Sequence, residues 1–420
     1  MLHTSTAGKS SNSKSSGEDR ISDLPDDILH HVLGFLRADQ AVRTCLLARR
    51  WRHLWKAMRC LRINDMGSWR KSTDVFRNRF INCLLLFRDP GSTLDEVEIV
   101  YNYSEEYRHF NNDGPPWVDT WIQHALSSQA QVLTVKLPER AYFFLCPYGP
   151  LVSRCLRRLE ISNVKLKSNF LDFSSCSELV DLKIKDCTLD ASRILSQSLK
   201  HLSINGCAFG PYDDVRIRIS VPNLVSLQLI KIAGRTPLLE SMPSLDSAVI
   251  RPCNFSGDNC DNGVAGEFCG ICEDCCGADD HNDGCILFGG LSHAKNLELM
   301  QTYPRMFIFR RDLTWCPTFS KLKTLLMNQW CVRPDLSALV CMLEHSPVLE
   351  NLTLQLRKQG KRKRALEVEE NPGLLEKPAA ISGYLKIIKV KCEGTDDRVC
   401  KVLKFLSTFG IEIAIQRTNG

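Results

Sequence analysis

The sequence predicts an α/β chain in three parts: a trihelical N-terminal unit, an irregular solenoid of short repeats, and a small α/β cap. Three observations carry this prediction. Apolar residues at helical spacing recur three times within residues 21–61. A leucine pattern then repeats from Leu94 to Leu354, and residues 381–416 return to a strand, helix, strand order. The expected boundaries are 1–19 for a solvated tail, 20–63 for the trihelical unit and 64–356 for the solenoid, with an acidic Cys-rich insertion at 254–285. A charged linker at 357–380 and the cap at 381–416 complete the chain.

The tail is dominated by Ser, Thr, Lys and Gly, which bury too little apolar surface to order it. The first helix opens at Leu24-Pro25-Asp26-Asp27. Pro25 suits a first turn, where a missing N–H costs nothing, and the two aspartates complement the positive helix end. Ile28, Leu29, Val32, Leu33 and Leu36 then follow helical spacing. Asp39 is expected to cap a second helix bearing Val42, Cys45 and Leu46, and residues 49–58 read as a third with Trp51 and Trp55 one turn apart. About forty residues cannot bury a self-sufficient core, so surplus apolar surface is left for a partner. A further helical stripe (Val75, Phe76, Phe80, Leu84, Phe87) stops at Asp89-Pro90-Gly91.

From Leu94 the pattern L-x-x-L-x-L takes over, as in Leu94/Val97/Ile99, Leu159/Ile161, Leu182/Ile184, Leu202/Ile204 and Leu227/Leu229. First positions Leu156, Leu179, Leu199, Leu224 and Leu245 lie 20 to 25 residues apart. This is the period of leucine-rich repeats, whose alternation gives a short strand with one buried face. Stacked units make a parallel sheet, and the ninth-position thiols Cys187, Cys207 and Cys253 are expected to tuck under the turn after each strand. Exposed strand positions, including Glu160, Lys183, Ser203, Gln228 and Thr353, are mixed polar and form the expected target-binding surface. Such a surface suits a protein partner better than a phosphate backbone.

The Cys-rich insertion tests poorly as a metal motif. Cys269-x-x-Cys272 is a zinc-compatible pair that Cys275, Cys276, His281 or Cys285 could complete to four ligands, but no second C-x-x-C lies fifteen to twenty residues away. An iron–sulfur run would need a cysteine where Asp279 stands, and a calcium loop would need a glutamate at Gly290. The expectation is a solvated loop of thiols, no metal and no cofactor. The basic run at 357–364 reads as a solvated loop or as a nuclear-import signal.

Composition narrows the classes further. Hydrophobic residues make up 44% and charged residues 24%, values of a soluble globular chain, and the net charge of +6 is mild for 420 residues. Nucleic acid is therefore not an expected partner. No apolar run is long enough for a membrane span, and no N-terminal secretion core is present. With 20 cysteines, many of them spread singly along the chain, the reading is a reducing compartment, cytoplasm or nucleus. Nucleotide-binding, hydrolase-elbow and zincin motifs are absent, so an enzyme is not expected.

At the C-terminal end, Leu385/Ile388/Val390 repeat the strand pattern. Thr395 is expected to cap a helix with Val399, Val402, Leu403 and Leu406 on one face, Gly410 stops it, and Ile411, Ile413 and Ile415 alternate.

Two resemblances follow from these residues. The order Leu24-Pro25-x-x-Ile28-Leu29, the run at 41–47 and Arg49-Arg50-Trp51-x-x-Leu54-Trp55 closely resemble an F-box. The segments 385–390 and 402–411 resemble the FBD module of plant F-box proteins. Together with the repeats, nearly the whole chain resembles a plant F-box/leucine-rich-repeat/FBD protein. The resemblance implies that Leu24, Pro25, Ile28, Leu29, Val32, Leu33, Leu36, Val42, Leu46, Trp51 and Trp55 bind a Skp-type adaptor. Through that adaptor the chain joins a cullin and a RING subunit, and the repeats present a protein substrate for ubiquitin transfer. A second reading is a nuclear scaffold of leucine-rich repeats that works without the ligase; adaptor co-purification separates the two.

Overall fold

A computed structural model describes residues 21–64 (except 22), 74–101, 116–137, 144–145, 151–210, 216–253, 285–301, 310–328, 336–356 and 382–417 (except 395). The insertion cysteines Cys269, Cys272 and Cys275, the basic run and Thr395 lie outside these residues.

One 13-stranded sheet, parallel throughout, runs the length of the chain. Its strands follow chain order from Cys60–Ile63, Glu96–Val100, Val132–Lys136 and Arg158–Ser162 to Asn351–Leu356, Ile387–Cys392 and Ile413–Arg417. Register is kept without slip. Leu61, Val97, Leu133, Leu159, Leu182, Leu202, Leu227, Ala248, Leu297, Leu325, Leu352 and Ile388 pair in one column. Two residues on, Ile63, Ile99, Val135, Ile161, Ile184, Ile204, Leu229, Ile250, Leu299, Met327, Leu354 and Val390 form a second. Both columns are buried, because side chains two apart share a strand face and a one-residue slip would put every one of them in water.

In mid-chain the units carry more than one strand. Thr188–Asp190, Ala208–Phe209 and Ala233–Gly234 belong to a five-stranded parallel sheet, and Arg193–Leu195, Arg218–Ser220 and Leu238–Leu239 form a third sheet. Four described chain turns from the first sheet to the second carry a left-handed residue. Asn163, Asp186, Gly206 and Lys231 have φ of 63°, 51°, 69° and 52°. Their amides donate to the last carbonyl of the next strand, at Lys185, Asn205, Ile230 and Arg251. Asn, Asp and Gly tolerate that conformation, whereas Lys231 adopts it at a steric cost. The expected thiols sit just beyond: Cys187 Sγ donates to Lys185 O at 3.1 Å and Cys207 Sγ to Asn205 O at 3.4 Å, both buried. Cys253 is only half-buried.

Several local expectations need correction. Residues 49–58 form two 3-10 turns, Arg49–Arg52 and Leu54–Ala57, rather than one α-helix. A three-residue period puts Trp51 and Leu54 on one side, both buried with Met58. Helix α2 spans Ala38–Arg43, so Asp39 lies inside it, buried and paired to Arg37 at 3.2 Å instead of capping. The helix Asp397–Ser407 is capped by Asp396, whose Oδ1 accepts from Val399 N at 2.9 Å. On α3 (Asp74–Leu86) the buried residues are Ile81, Leu84 and Leu85, while Val75, Phe76 and Phe87 of the expected stripe are exposed. The sheet also begins before Leu94, at Cys60–Ile63, and includes Val132–Lys136.

Helix α4 (Pro116–Ser127) buries Val118, Trp121, Ile122 and Ala125. On the same helix, burial pushes the Asp119 carboxyl from 3.8 up to about 6, and its Oδ1 has no hydrogen-bond partner. A carboxyl raised above its unfolded value is held protonated by the fold, so its contribution is fully present below about pH 4 and is lost as pH rises through about 6. Asp119→Asn should therefore raise the melting temperature at pH 7, with the advantage vanishing below pH 4 in a pH series of thermal melts.

Gly234 has φ +90°, and a Cβ there would stand 2.1 Å from the Phe209 carbonyl oxygen, a backbone atom that cannot step aside. Gly234→Ala is expected to cost about 1–3 kcal/mol in denaturant unfolding, mainly through this strain.

Candidate functional site

Helix α1 (Asp26–Gly34) has two working faces. Pro25 precedes it, and its carbonyl accepts from Ile28 N and Leu29 N at 3.0 and 3.1 Å. Leu29 and Leu33, one turn apart, are fully buried. Ile28, Val32 and Phe35 fall on the other side, 47%, 40% and 68% exposed. Leu46 and Leu47 are more exposed still. The Asp26 carboxylate accepts from Arg50 at 2.7 Å and ties the start of α1 to the turn Arg49–Arg52. At the other end, Arg62 Nε donates to the Gly34 carbonyl at 2.9 Å, fastening α1 to the first strand of the sheet.

The adaptor-binding residues expected from sequence therefore divide into three groups. Pro25, Ile28, Val32 and Leu46 are exposed. Leu24, Leu36, Val42 and Trp55 are half-buried against the core. Leu29, Leu33 and Trp51 belong to the core itself, with no surface to offer in the free chain. Phe35 and Leu47 were not singled out; Phe35 stands seven residues after Ile28, on the same side of the helix, which is the signal for it.

The five polar strand positions fall in one row. Glu160 pairs with Lys183, Lys183 with Ser203, and Ser203 with Gln228, across four adjacent strands. The row continues through Val249, Glu298 and Leu326 to Thr353. Two contacts tie up members of the row: Lys136 pairs with Glu160 at 3.2 Å, and Ser203 Oγ donates to Gln228 at 3.2 Å.

A third grouping lies near the C-terminal half of the sheet. One donor atom each from Cys316, Cys341 and His345 lie within 4.8 Å of one another. Cys341 and His345 are four residues apart at the end of the helix Ser337–Glu344, and Cys316 follows the helix Arg310–Thr314. The hydrogen bond between the two thiols draws the Cys341 thiol down and, together with burial, pushes the Cys316 thiol up. Of the insertion cysteines, only Cys285 is described, and its Sγ donates to the Trp315 carbonyl at 2.9 Å.

Comparison with known proteins bears on the first of these features. The F-box domain model matches residues 21–63. The chain carries an F-box. An F-box/LRR-repeat protein of Arabidopsis thaliana is 28% identical over 194 residues, 46% of this chain and 36% of that protein. A meiotic F-box protein of Oryza sativa subsp. japonica is 29% identical over 362 residues, 80% of this chain and 71% of that protein. An F-box/FBD/LRR-repeat protein of Arabidopsis thaliana is 28% identical over 243 residues, 51% of this chain and 50% of that protein. The chain spans only about a third of the first two relatives it matches, 36% and 37% of their length. The F-box and this similarity to plant F-box/LRR-repeat and FBD-associated F-box proteins agree with the resemblance read from the sequence. Among the described residues, no helix is long and apolar enough to cross a membrane.

The two faces of α1 make a stability contrast measurable. Leu29→Ala and Leu33→Ala should each cost about 2–5 kcal/mol, the range for emptying a packed leucine site. Ile28→Ala should change unfolding free energy by no more than about 0.5 kcal/mol, as for an exposed position.

Proposed function

We propose that this chain is the substrate-recognition subunit of a Skp–cullin–F-box ubiquitin ligase. The observation that carries the reading is the exposed apolar stripe of α1 within the matched F-box. Ile28, Val32 and Phe35 leave in water a surface that a soluble chain ordinarily buries, and Leu46 and Leu47 add to it. Burying a large apolar side chain against an adaptor contributes roughly 1.5–3 kcal/mol each. On this reading Pro25, Ile28, Val32 and Leu46 meet the adaptor first. Leu29, Leu33 and Trp51 hold the docking face in shape from behind.

The stacked units then serve as a leucine-rich-repeat solenoid, between an F-box at 20–63 and an FBD-like cap at 381–416. Its row of Glu160, Lys183, Ser203, Gln228 and Thr353 contacts a protein target. The chain performs no chemistry itself. It holds target and ubiquitin-transferring subunit together, so that an encounter between them becomes an event at high effective concentration.

Ile28→Ala with Leu46→Ala should weaken adaptor capture by about thirtyfold, the equivalent of about 2 kcal/mol. Because both side chains are exposed, the thermal melt should stay in place. Pull-down of a Skp-type adaptor by the full chain, beside circular dichroism, reads both quantities; undiminished capture by a folded variant would refute this docking face.

A further inference from the structure

Buried cysteines are often small apolar fillers, so the grouping of Cys316, Cys341 and His345 has to be weighed against that plain role. Three features set it apart. The donors are two sulfurs and an imidazole, the set that thiophilic divalent ions prefer. Cys341 and His345 are one helical turn apart on a single element, so their relative position is fixed by the backbone, and Cys341 Sγ lies 3.9 Å from His345 Nδ1. His345 Nδ1 is also 2.9 Å from the Cys341 carbonyl oxygen, a contact that holds the ring beside the thiols.

Distances favour the same conclusion. Around a tetrahedral zinc ion, with bonds of about 2.3 Å to sulfur and about 2.0 Å to nitrogen, the donor atoms stand about 3.5–3.8 Å apart. The present donors lie within 4.8 Å of one another, about 1 Å outside that spacing. Cys285 is close by, its Sγ on the carbonyl of the residue preceding Cys316. We propose that Cys316, Cys341 and His345 bind a zinc ion, with Cys285 swinging in as the fourth ligand. Binding releases the thiol protons to solvent as the sulfurs become thiolates, with no change in oxidation state. The ion joins the loop after Arg310–Thr314 to the helix Ser337–Glu344 and so closes the stack behind the strands Asn296–Leu299 to Asn351–Leu356.

The test uses the full chain, purified in reducing buffer without chelator. Elemental analysis should find about one zinc per chain. Cys316→Ser with Cys341→Ser should lose it, and Cys269→Ser with Cys272→Ser should keep it. Because the first pair removes two inward-facing thiols, the unaltered protein is also stripped and titrated with cobalt. Tetrahedral d–d bands with thiolate charge transfer are expected, and Cys285→Ser should cut the charge-transfer intensity by roughly a third, one of three thiolates. No zinc together with no cobalt bands overturns the site. So does zinc that follows Cys269 and Cys272, or a mass two hydrogen atoms lighter that marks a Cys316–Cys341 disulfide. An unchanged cobalt spectrum in Cys285→Ser removes Cys285 from the ligand set.

Discussion

Unbroken parallel register is the constraint on which the remainder of this molecule depends. A parallel strand cannot satisfy its backbone groups within its own unit, so every repeat needs its neighbour for hydrogen bonds as well as for burial. The two apolar columns express that dependence in side chains, since each leucine or isoleucine is covered by those on the strands before and after it. Loops between strands vary in length and carry short helices, extra strands or an insertion. None of that shifts the columns, because the penalty for a slip falls on every strand at once.

Both ends of such a stack need protection. At the first strand, α1 lays Leu29 and Leu33 inward and Arg62 reaches back to the Gly34 carbonyl. The F-box thus does two jobs with one helix, one face closing the sheet and the other remaining outside. At the far end the helix Asp397–Ser407 buries Val399, Val402, Phe405 and Leu406 before the last strand, Ile413–Arg417, whose side chains are largely exposed. A short edge strand ending in Gln416 and Arg417 is a poor template for pairing with another chain.

Much of this was legible in the sequence, for reasons that differ between elements. The columns were readable because leucine at fixed offsets has few other uses. Cys60–Ile63 escaped because it lies inside the F-box pattern, and Val132–Lys136 because its unit opens with Ala130, which is buried but is not a leucine. The 3-10 turns at 49–57 were read as a helix, since i, i+3 and i, i+4 spacings look alike over so few residues. The F-box resemblance named the proposed docking residues but not their faces: Ile28 and Leu29 are adjacent in the chain and about 100° apart around the helix, one exposed and the other buried. The Cys316, Cys341 and His345 grouping was invisible because 25 residues separate its first two members, and only the fold brings them together.

A regular stack is also a ruler. Adjacent strands are about 4.8 Å apart, so Ser203, five strands on from Cys60–Ile63, stands about 24 Å along the sheet from the strand that holds α1. Because Arg62 ties α1 to that strand, its outer face and the polar row are carried on one sheet. Gaining or losing a repeat would move the two apart or together in steps of one strand, leaving every other contact in register. Length, in such a chain, can be adjusted without redesigning either end.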